Sequence, residues 1–484
     1  MNFILEAILI IPLSAALVSW WVTPRIGKIL SVLSGTSTFV LTLTLVDSKT
    51  PTALAGWLRA DSLSVVFLIA VSFLYFTTSI FATGYVHKVG DRSVGAKYER
   101  RLFAGLNLFC WAMMAAPLVS SMALLWVAIE VTTVISALLV AIDNTEGATE
   151  ASWKYVLIAS MGLGIALFAT ILLYYVGSTV FGHNYDLFYP SLFGAAPRFP
   201  HQITELAFVL AVLGYGTKVG LVPVHTWLPD AHSEAPTPVS ALLSGALLAI
   251  SFYAILRYFQ VTVLTLGPRF PRDILLAFGL ASLLLAALYL AAQRDLKRLL
   301  AYSSIEHMGI LAIGMSFAAP IAIVGVLLHV LAHAAAKGTA FFGAGSIVKK
   351  FGTKDMTRIR GVVRVLPFSG PMMVLAILAL SAMPPFGVFR SEFLIIYGGL
   401  SSPSSAVVSV LVLLVTIAFF GLSYFATRTM LTPALQGMVS KETSWWIVTA
   451  MAMGVFALLI LGLHPPSQLS DLLSRAASEL VVRP

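Results

Sequence analysis

A single cysteine, Cys110, in a chain of 484 residues leaves no intrachain disulfide and no set of thiolates to hold an iron–sulfur cluster. Any electron transfer coupled to this protein therefore takes place in another chain. Charge is scarce as well. Only 11% of residues are Asp, Glu, Lys or Arg while 59% are apolar, against about 45–50% apolar in a soluble domain. No polar stretch between the apolar runs is long enough for a soluble domain. A basic flank and a small-residue cleavage site are both missing around the first apolar segment, Phe3 to Val22, so it reads as a membrane span and not as a leader peptide.

What the chain does have is a mean hydropathy of +0.93 and apolar runs near the length that crosses a hydrocarbon core of about 30 Å as a helix. The expectation is an all-α integral membrane protein forming one polytopic domain over 1–484. About fourteen spans are drawn at 3–22, 28–46, 62–85, 102–119, 121–142, 153–176, 204–224, 236–258, 273–292, 298–316, 320–348, 367–400, 406–431 and 445–463. The net charge of +9 reports topology and not a nucleic-acid partner, because most Lys and Arg fall in short loops. Arg25 and Lys28, then Lys88, Arg92, Lys97, Arg100 and Arg101, then Arg294, Lys297 and Arg298, then Lys349 to Arg364 occupy alternate loops. Those loops are cytoplasmic by the positive-inside rule, which puts both termini outside.

Two spans carry breaks. Gly220, Pro223 and Pro229 interrupt the region after Lys218, and Pro384-Pro385-Phe386-Gly387 interrupts the twelfth span. Proline removes a backbone donor and frees a carbonyl at depth. Breaks in spans seven and twelve, five spans apart, are what two inverted five-helix repeats produce, and broken helices point to ion pathways. The repeats would cover 102–258 (helices 4–8) and 273–431 (helices 9–13).

An ionisable group inside a span costs about 2.5 to over 10 kcal/mol, so each is a functional candidate. Glu130, Lys218 and Glu392 each lie in an apolar setting. Burial disfavours the charged form of either kind of group, and an opposite charge nearby favours it. A Glu130–Lys218 pair that can be made and broken is thus a protonation switch; the plainer reading is a static pair that locks two helices. His329, His333 and Lys337 recur every four residues and share one helical face, with His307 in the preceding span. Imidazole accepts on one nitrogen and donates from the other near neutral pH, which suits a proton relay. Packing histidines are the alternative. No cysteine and no obvious third carboxylate ligand accompanies the histidines, so no metal and no other cofactor is expected. His225, Asp230, His232 and Glu234 form a segment without Lys or Arg, readable as a proton-collecting mouth or as a polar turn with capping residues. Glu306 either joins the relay or pairs with the Arg294–Arg298 cluster.

The run Val222-Pro223-Val224-His225-Thr226-Trp227-Leu228-Pro229-Asp230-Ala231-His232-Ser233-Glu234-Ala235-Pro236-Thr237 resembles the signature of the antiporter-like subunits of respiratory complex I. Similarity extends through Ala301-Tyr302-Ser303-Ser304-Ile305-Glu306-His307-Met308-Gly309 and Pro384-Pro385-Phe386-Gly387-Val388-Phe389-Arg390-Ser391-Glu392-Phe393, which most resemble component F of hydrogenase-4 and membrane-bound hydrogenase relatives. The resemblance implies a fourteen-helix fold with a central polar line along which protons or sodium ions cross. It assigns Glu130 to the fifth-helix glutamate, Lys218 to the seventh-helix lysine, His307 and His333 to the relay of helices ten and eleven, and Glu392 to the terminal acid. Lys337 occurs in the hydrogenase branch.

One departure concerns the eighth helix. Many relatives carry a lysine there in a Gly-x-Leu-Leu-Lys context, where this chain reads Gly245-Ala246-Leu247-Leu248-Ala249-Ile250-Ser251. Either Ser251, water and the histidine row bridge the gap, or the subunit is chiefly a scaffold. The long lateral helix of some relatives is also not expected. The leading function is a proton-translocating subunit, without catalysis of its own, in a hydrogenase- or complex I-like assembly in a bacterial or archaeal cell membrane. Its partners would be other membrane subunits and, indirectly, a soluble redox module. A subunit of a multisubunit sodium/proton antiporter, a proton-energised subunit for inorganic-carbon uptake and an inert structural subunit are the competing readings.

Overall fold

The computed structural model describes residues 2–86, 92–182, 185–402, 405–434 and 437–481; Lys88, assigned above to a cytoplasmic loop, lies outside them. The chain is almost entirely helical. In order it forms α1 Asn2–Trp21, α2 Pro24–Leu43, α3 Ser62–Tyr85, α4 Arg92–Leu118, α5 Met122–Val140, α6 Glu146–Phe181, α7 Tyr189–Ala195, α8 His201–Val219, α9 Trp227–Glu234 and α10 Thr237–Leu242. Then follow α11 Leu248–Leu266, α12 Arg269–Leu290, α13 Leu296–Ser316, α14 Pro320–Phe351, α15 Val362–Val365, α16 Ser369–Leu380, α17 Gly387–Leu400, α18 Ser405–Phe425, α19 Trp445–Leu463 and α20 Ser467–Leu480. A two-stranded antiparallel ribbon, with Thr52 opposite Arg59, lies between α2 and α3.

Eleven helices among the described residues are long and apolar enough to cross a bilayer, counting Thr237–Leu266 as one. They sort by burial. The most apolar windows of α3, Thr237–Leu266 and α14 are 83%, 100% and 89% buried, against 33–39% for α1, α2, α6, α12 and α18. The first three therefore form the protein interior, and the others turn large apolar side chains such as Met161, Phe168, Leu288 and Phe420 outward, as a lipid-facing shell requires. Between these layers helices approach closely at glycine. A Cβ on Gly214 of α8 would meet Ala166 N of α6 at 2.6 Å, and one on Gly279 of α12 would meet Gly309 O of α13 at 3.0 Å. Small residues at such crossings are what packing in lipid selects.

Several boundaries differ from those drawn by hydropathy. The fourth helix begins at Arg92 instead of residue 102, and α6 runs 36 residues, about 54 Å at 1.5 Å per residue. Helical extensions beyond the hydrocarbon are polar and leave no hydropathy signal. Thr145 marks the true start of α6, its hydroxyl accepting from Ala148 N at 3.1 Å, an N-cap. Asp61 and Asp295 cap α3 and α13 in the same way.

The region after Lys218 turns sharply. Helix α8 ends at Val219, Gly220 adopts φ +82°, and helix resumes at Trp227, whose indole Nε1 donates to Thr217 O at 2.6 Å across the gap. The twelfth apolar stretch forms two helices, α16 and α17, separated by residues 381–386. Between α10 and α11, residues Leu243–Leu247 form one π-type turn, which ends two residues before Ala249, the position that the resemblance aligns with the eighth-helix lysine. A single π turn in a long helix frequently marks a functional site. After α19, the short helix α20 buries Leu472, Leu473, Ala476, Ala477 and Leu480.

Candidate functional site

Lys218, on the last turn of α8, is fully buried. Its ammonium donates to the Tyr155 hydroxyl at 2.5 Å, and that hydroxyl lies 2.7 Å from Ser136 Oγ. The expected partner Glu130 is not in contact with it: no ion pair joins the two among the described residues. Glu130 is half-buried, accepts from Ser160 Oγ at 3.3 Å, and leaves Oε2 without a partner. It shares a stripe of α5 with exposed Val127, Val134 and Leu138, so it faces the outer wall as well as the interior. Tyr155 was not recognised from sequence, because a tyrosine in an apolar span carries no charge to betray it.

The Tyr155 ring packs on Trp227 with centroids 4.5 Å apart, and Trp227 in turn neighbours His232 at 6.3 Å. His232 also faces Phe341 of α14 at 5.6 Å. Expected at a surface mouth, His232 is instead fully buried, with neither ring nitrogen partnered. It departs from its neighbours because α9 folds back into the bundle behind Trp227. His225 is nearly buried and its Nδ1 is unpartnered. Asp230 and Glu234 remain half-buried near the surface, and other elements supply the cations their own segment lacks. Asp230 meets Arg298 at 3.0 Å and Lys154 at 3.6 Å, and Glu234 meets Lys354 at 2.7 Å.

On α14, His329, His333 and Lys337 do share one face, and all are fully buried. The Lys337 ammonium donates to Leu300 O at 2.9 Å and to Ser303 Oγ, both on α13. Glu306 does not pair with the basic cluster. It is 2% exposed, within electrostatic range of Lys337, with Oε2 unpartnered. One residue from Ser303, Ser304 Oγ meets Ser244 Oγ of the π turn at 2.7 Å. Ser251 turns its hydroxyl back to Leu247 O at 2.9 Å.

Beyond Lys337 the histidines converge. His307 Nδ1 lies 3.1 Å from His329 Nε2 and 3.9 Å from Glu392 Oε1. His329 Nδ1 is 2.9 Å from Ser391 Oγ. His333 packs edge-on against His307 with centroids 5.1 Å apart, and both its nitrogens are unpartnered. The first turns of α17 bring Ser391 and Glu392 to this point.

Helices wrapped around a row of buried lysines, histidines and carboxylates at membrane depth define an antiporter-like membrane subunit. The chain belongs to the NADH:quinone oxidoreductase/Mrp antiporter transmembrane family, whose model matches residues 119–421. It is 36% identical over 376 residues to the hydrogenase-4 component F homolog of Methylacidiphilum infernorum, covering 77% of this chain and 78% of that one. Solved structures share the fold. A chain of the membrane-bound sulfane sulfur reductase, an archaeal respiratory membrane complex, superposes with a TM-score of 0.86 at 20% identity, covering 99% of this chain and 97% of that one. A chain of respiratory complex I from Thermus thermophilus gives 0.82 at 22% identity, covering 99% and 100%.

Proposed function

We propose that this chain carries protons across the membrane for a hydrogenase-4- or complex I-like redox assembly. The line runs from Glu130 through Tyr155, Lys218, His232 and Lys337 to His307, His329, His333 and Glu392. The observation that carries this reading is the pattern of bonding along the line. Hydroxyls and imidazoles that both donate and accept stand at hydrogen-bond distance in two stretches, Ser136–Tyr155–Lys218 and His307–His329–Ser391, and His232, His333, Glu306 and Glu130 beside and between them keep buried polar atoms with spare valence. Such groups relay protons when water joins them. His232, between Trp227 and Phe341, supplies a titratable group between the two lysines where the eighth-helix lysine is replaced at Ala249. His225, with the ion-paired Asp230 and Glu234, forms the cytoplasmic uptake side.

The eleven long apolar helices, with α8, α13 and the α16–α17 pair, make fourteen spans. Residues 102–258 and 273–431 are the two inverted repeats, with spans seven and twelve interrupted at the Gly220 and Pro384–Gly387 segments. The positive loops put both termini on the outer side of a bacterial or archaeal cell membrane. The exposed stripe bearing Glu130 supports contact with a neighbouring membrane subunit, and the redox module acts through such neighbours. The family description also names Mrp antiporters. Sodium, however, is a hard cation that needs a cage of oxygens, like other hard cations, and this line is rich in nitrogen, which favours protons.

Replacing Glu130 by Gln keeps shape and removes the titratable charge. The assembled complex should survive, while redox-driven proton uptake by membrane vesicles falls by about 10²-fold, the low end for a group that carries the proton. Uptake at the normal rate would contradict the reading.

A further inference from the structure

Sequence offered no third ligand beside the histidines, but the fold brings one from α17. His307, His329 and Glu392 each present one ligand atom, and these atoms all lie within 4.8 Å of one another. The pairs of 3.1 Å and 3.9 Å straddle the separation of about 3.3 Å that donors at 2.0–2.1 Å adopt around a tetrahedral ion. We infer that these three side chains form a binding site for a divalent transition-metal ion of the zinc class, and that an ion bound there closes the proton line.

Four features of the surroundings support the site. His329 is oriented by Ser391 Oγ on Nδ1, which leaves Nε2 aimed at the ligand cluster, the usual arrangement of a ligating imidazole held by its outer partner. His333, with both nitrogens unpartnered and its ring against His307, is available as a fourth donor; otherwise water completes the set. Two imidazoles and a carboxylate suit zinc better than calcium or magnesium, which prefer oxygen throughout. A cleft of about 560 Å³ is lined by Leu328, Arg390 and Leu394, chain neighbours of His329 and Glu392, and Glu392 retains 5% exposure. Lys337 is the cation that opposes a bound dication, and Glu306 lies within electrostatic range to offset it.

An ion held here would occupy the lone pairs of His307 and His329 that the relay uses. Only this blocking effect rests on the function proposed above; binding does not. The test is therefore equilibrium binding of Zn²⁺ alone to the intact chain in its purified complex, with X-ray absorption at the zinc edge. One ion per chain, ligated by at least two imidazoles and no sulfur, is expected. His329→Gln and Glu392→Gln should abolish tight binding, and His201→Gln, which alters an exposed histidine on α8, should leave it intact. Ser391→Ala, which removes only a hydroxyl and covers the case in which a ligand variant fails to assemble, should weaken binding by about 10–100-fold. No zinc above background would overturn the site, and zinc held by His329→Gln and Ser391→Ala as tightly as by the unaltered chain would mean an adventitious ion only and overturn it equally. Bound zinc that leaves proton uptake unchanged would overturn the block.

Discussion

Two of the buried polar clusters among the described residues are built on opposite principles. Around Arg257 the guanidinium and the carboxylate it faces are matched. Its Nη2 meets Asp61 Oδ1 and Oδ2 at 2.6 and 2.7 Å, Nη1 donates to Gln260 Oε1 at 2.9 Å, and Nε donates to the Tyr253 hydroxyl at 2.9 Å. Gln260 in turn donates to Glu479 O at 2.9 Å, and the Glu479 carboxylate accepts from Ser62 N and Leu63 N, tying α20 to the start of α3. Along the proposed proton line, by contrast, Glu130, Glu306, His232, His307 and His333 all keep at least one buried polar atom without a partner. A fully satisfied charge cluster holds helices in place. A row with spare valence can exchange protons, because a new bond can form without breaking an old one.

The largest effect on stability is expected at the matched cluster. Arg257→Leu leaves Asp61 buried and uncompensated, and thermal unfolding of the purified protein should report a loss of about 3–5 kcal/mol, with part recovered by adding Asp61→Leu. An unchanged unfolding temperature would erase the distinction between the two clusters. His333→Gln removes no hydrogen bond, so its stability cost should stay under about 1 kcal/mol, the size of one such bond. Proton uptake should nevertheless fall in that variant, and fall further when His329→Gln is added, since adjacent relay members partly replace each other through water. Normal uptake in the double variant would make the row a packing feature.

The parts of this division that were legible in the sequence are those where charge interrupts an apolar run. Lys218, Glu130 and the four-residue spacing of His329, His333 and Lys337 announce themselves in that way. The partners that define their chemistry do not. Tyr155 looks like any aromatic in a span, and Glu392 reaches the histidines from more than fifty positions away, so its place beside them needs the fold. Arg257 escaped notice because it stands near the end of its apolar run, where a snorkelling arginine is ordinary; only the fold shows Asp61 directly against it. The π turn at Leu243–Leu247 is a slip of backbone bonding with no residue signature. Conversely, the Asp230–Glu234 segment contains no Lys or Arg in sequence, yet Lys154, Arg298 and Lys354 converge on it in space.

Lys218 tests the account most directly, because its ammonium already rests on a hydroxyl and not on a carboxylate, so it can hand over its proton without first breaking an ion pair. Arginine retains the positive charge and cannot release it in any accessible pH range. The decisive measurement is redox-driven proton uptake in vesicles carrying the assembled complex with Lys218→Arg, compared with Lys218→Met. Both variants should fail to the same extent. Normal uptake by the arginine variant would make Lys218 an electrostatic fixture and contradict proton transfer through it.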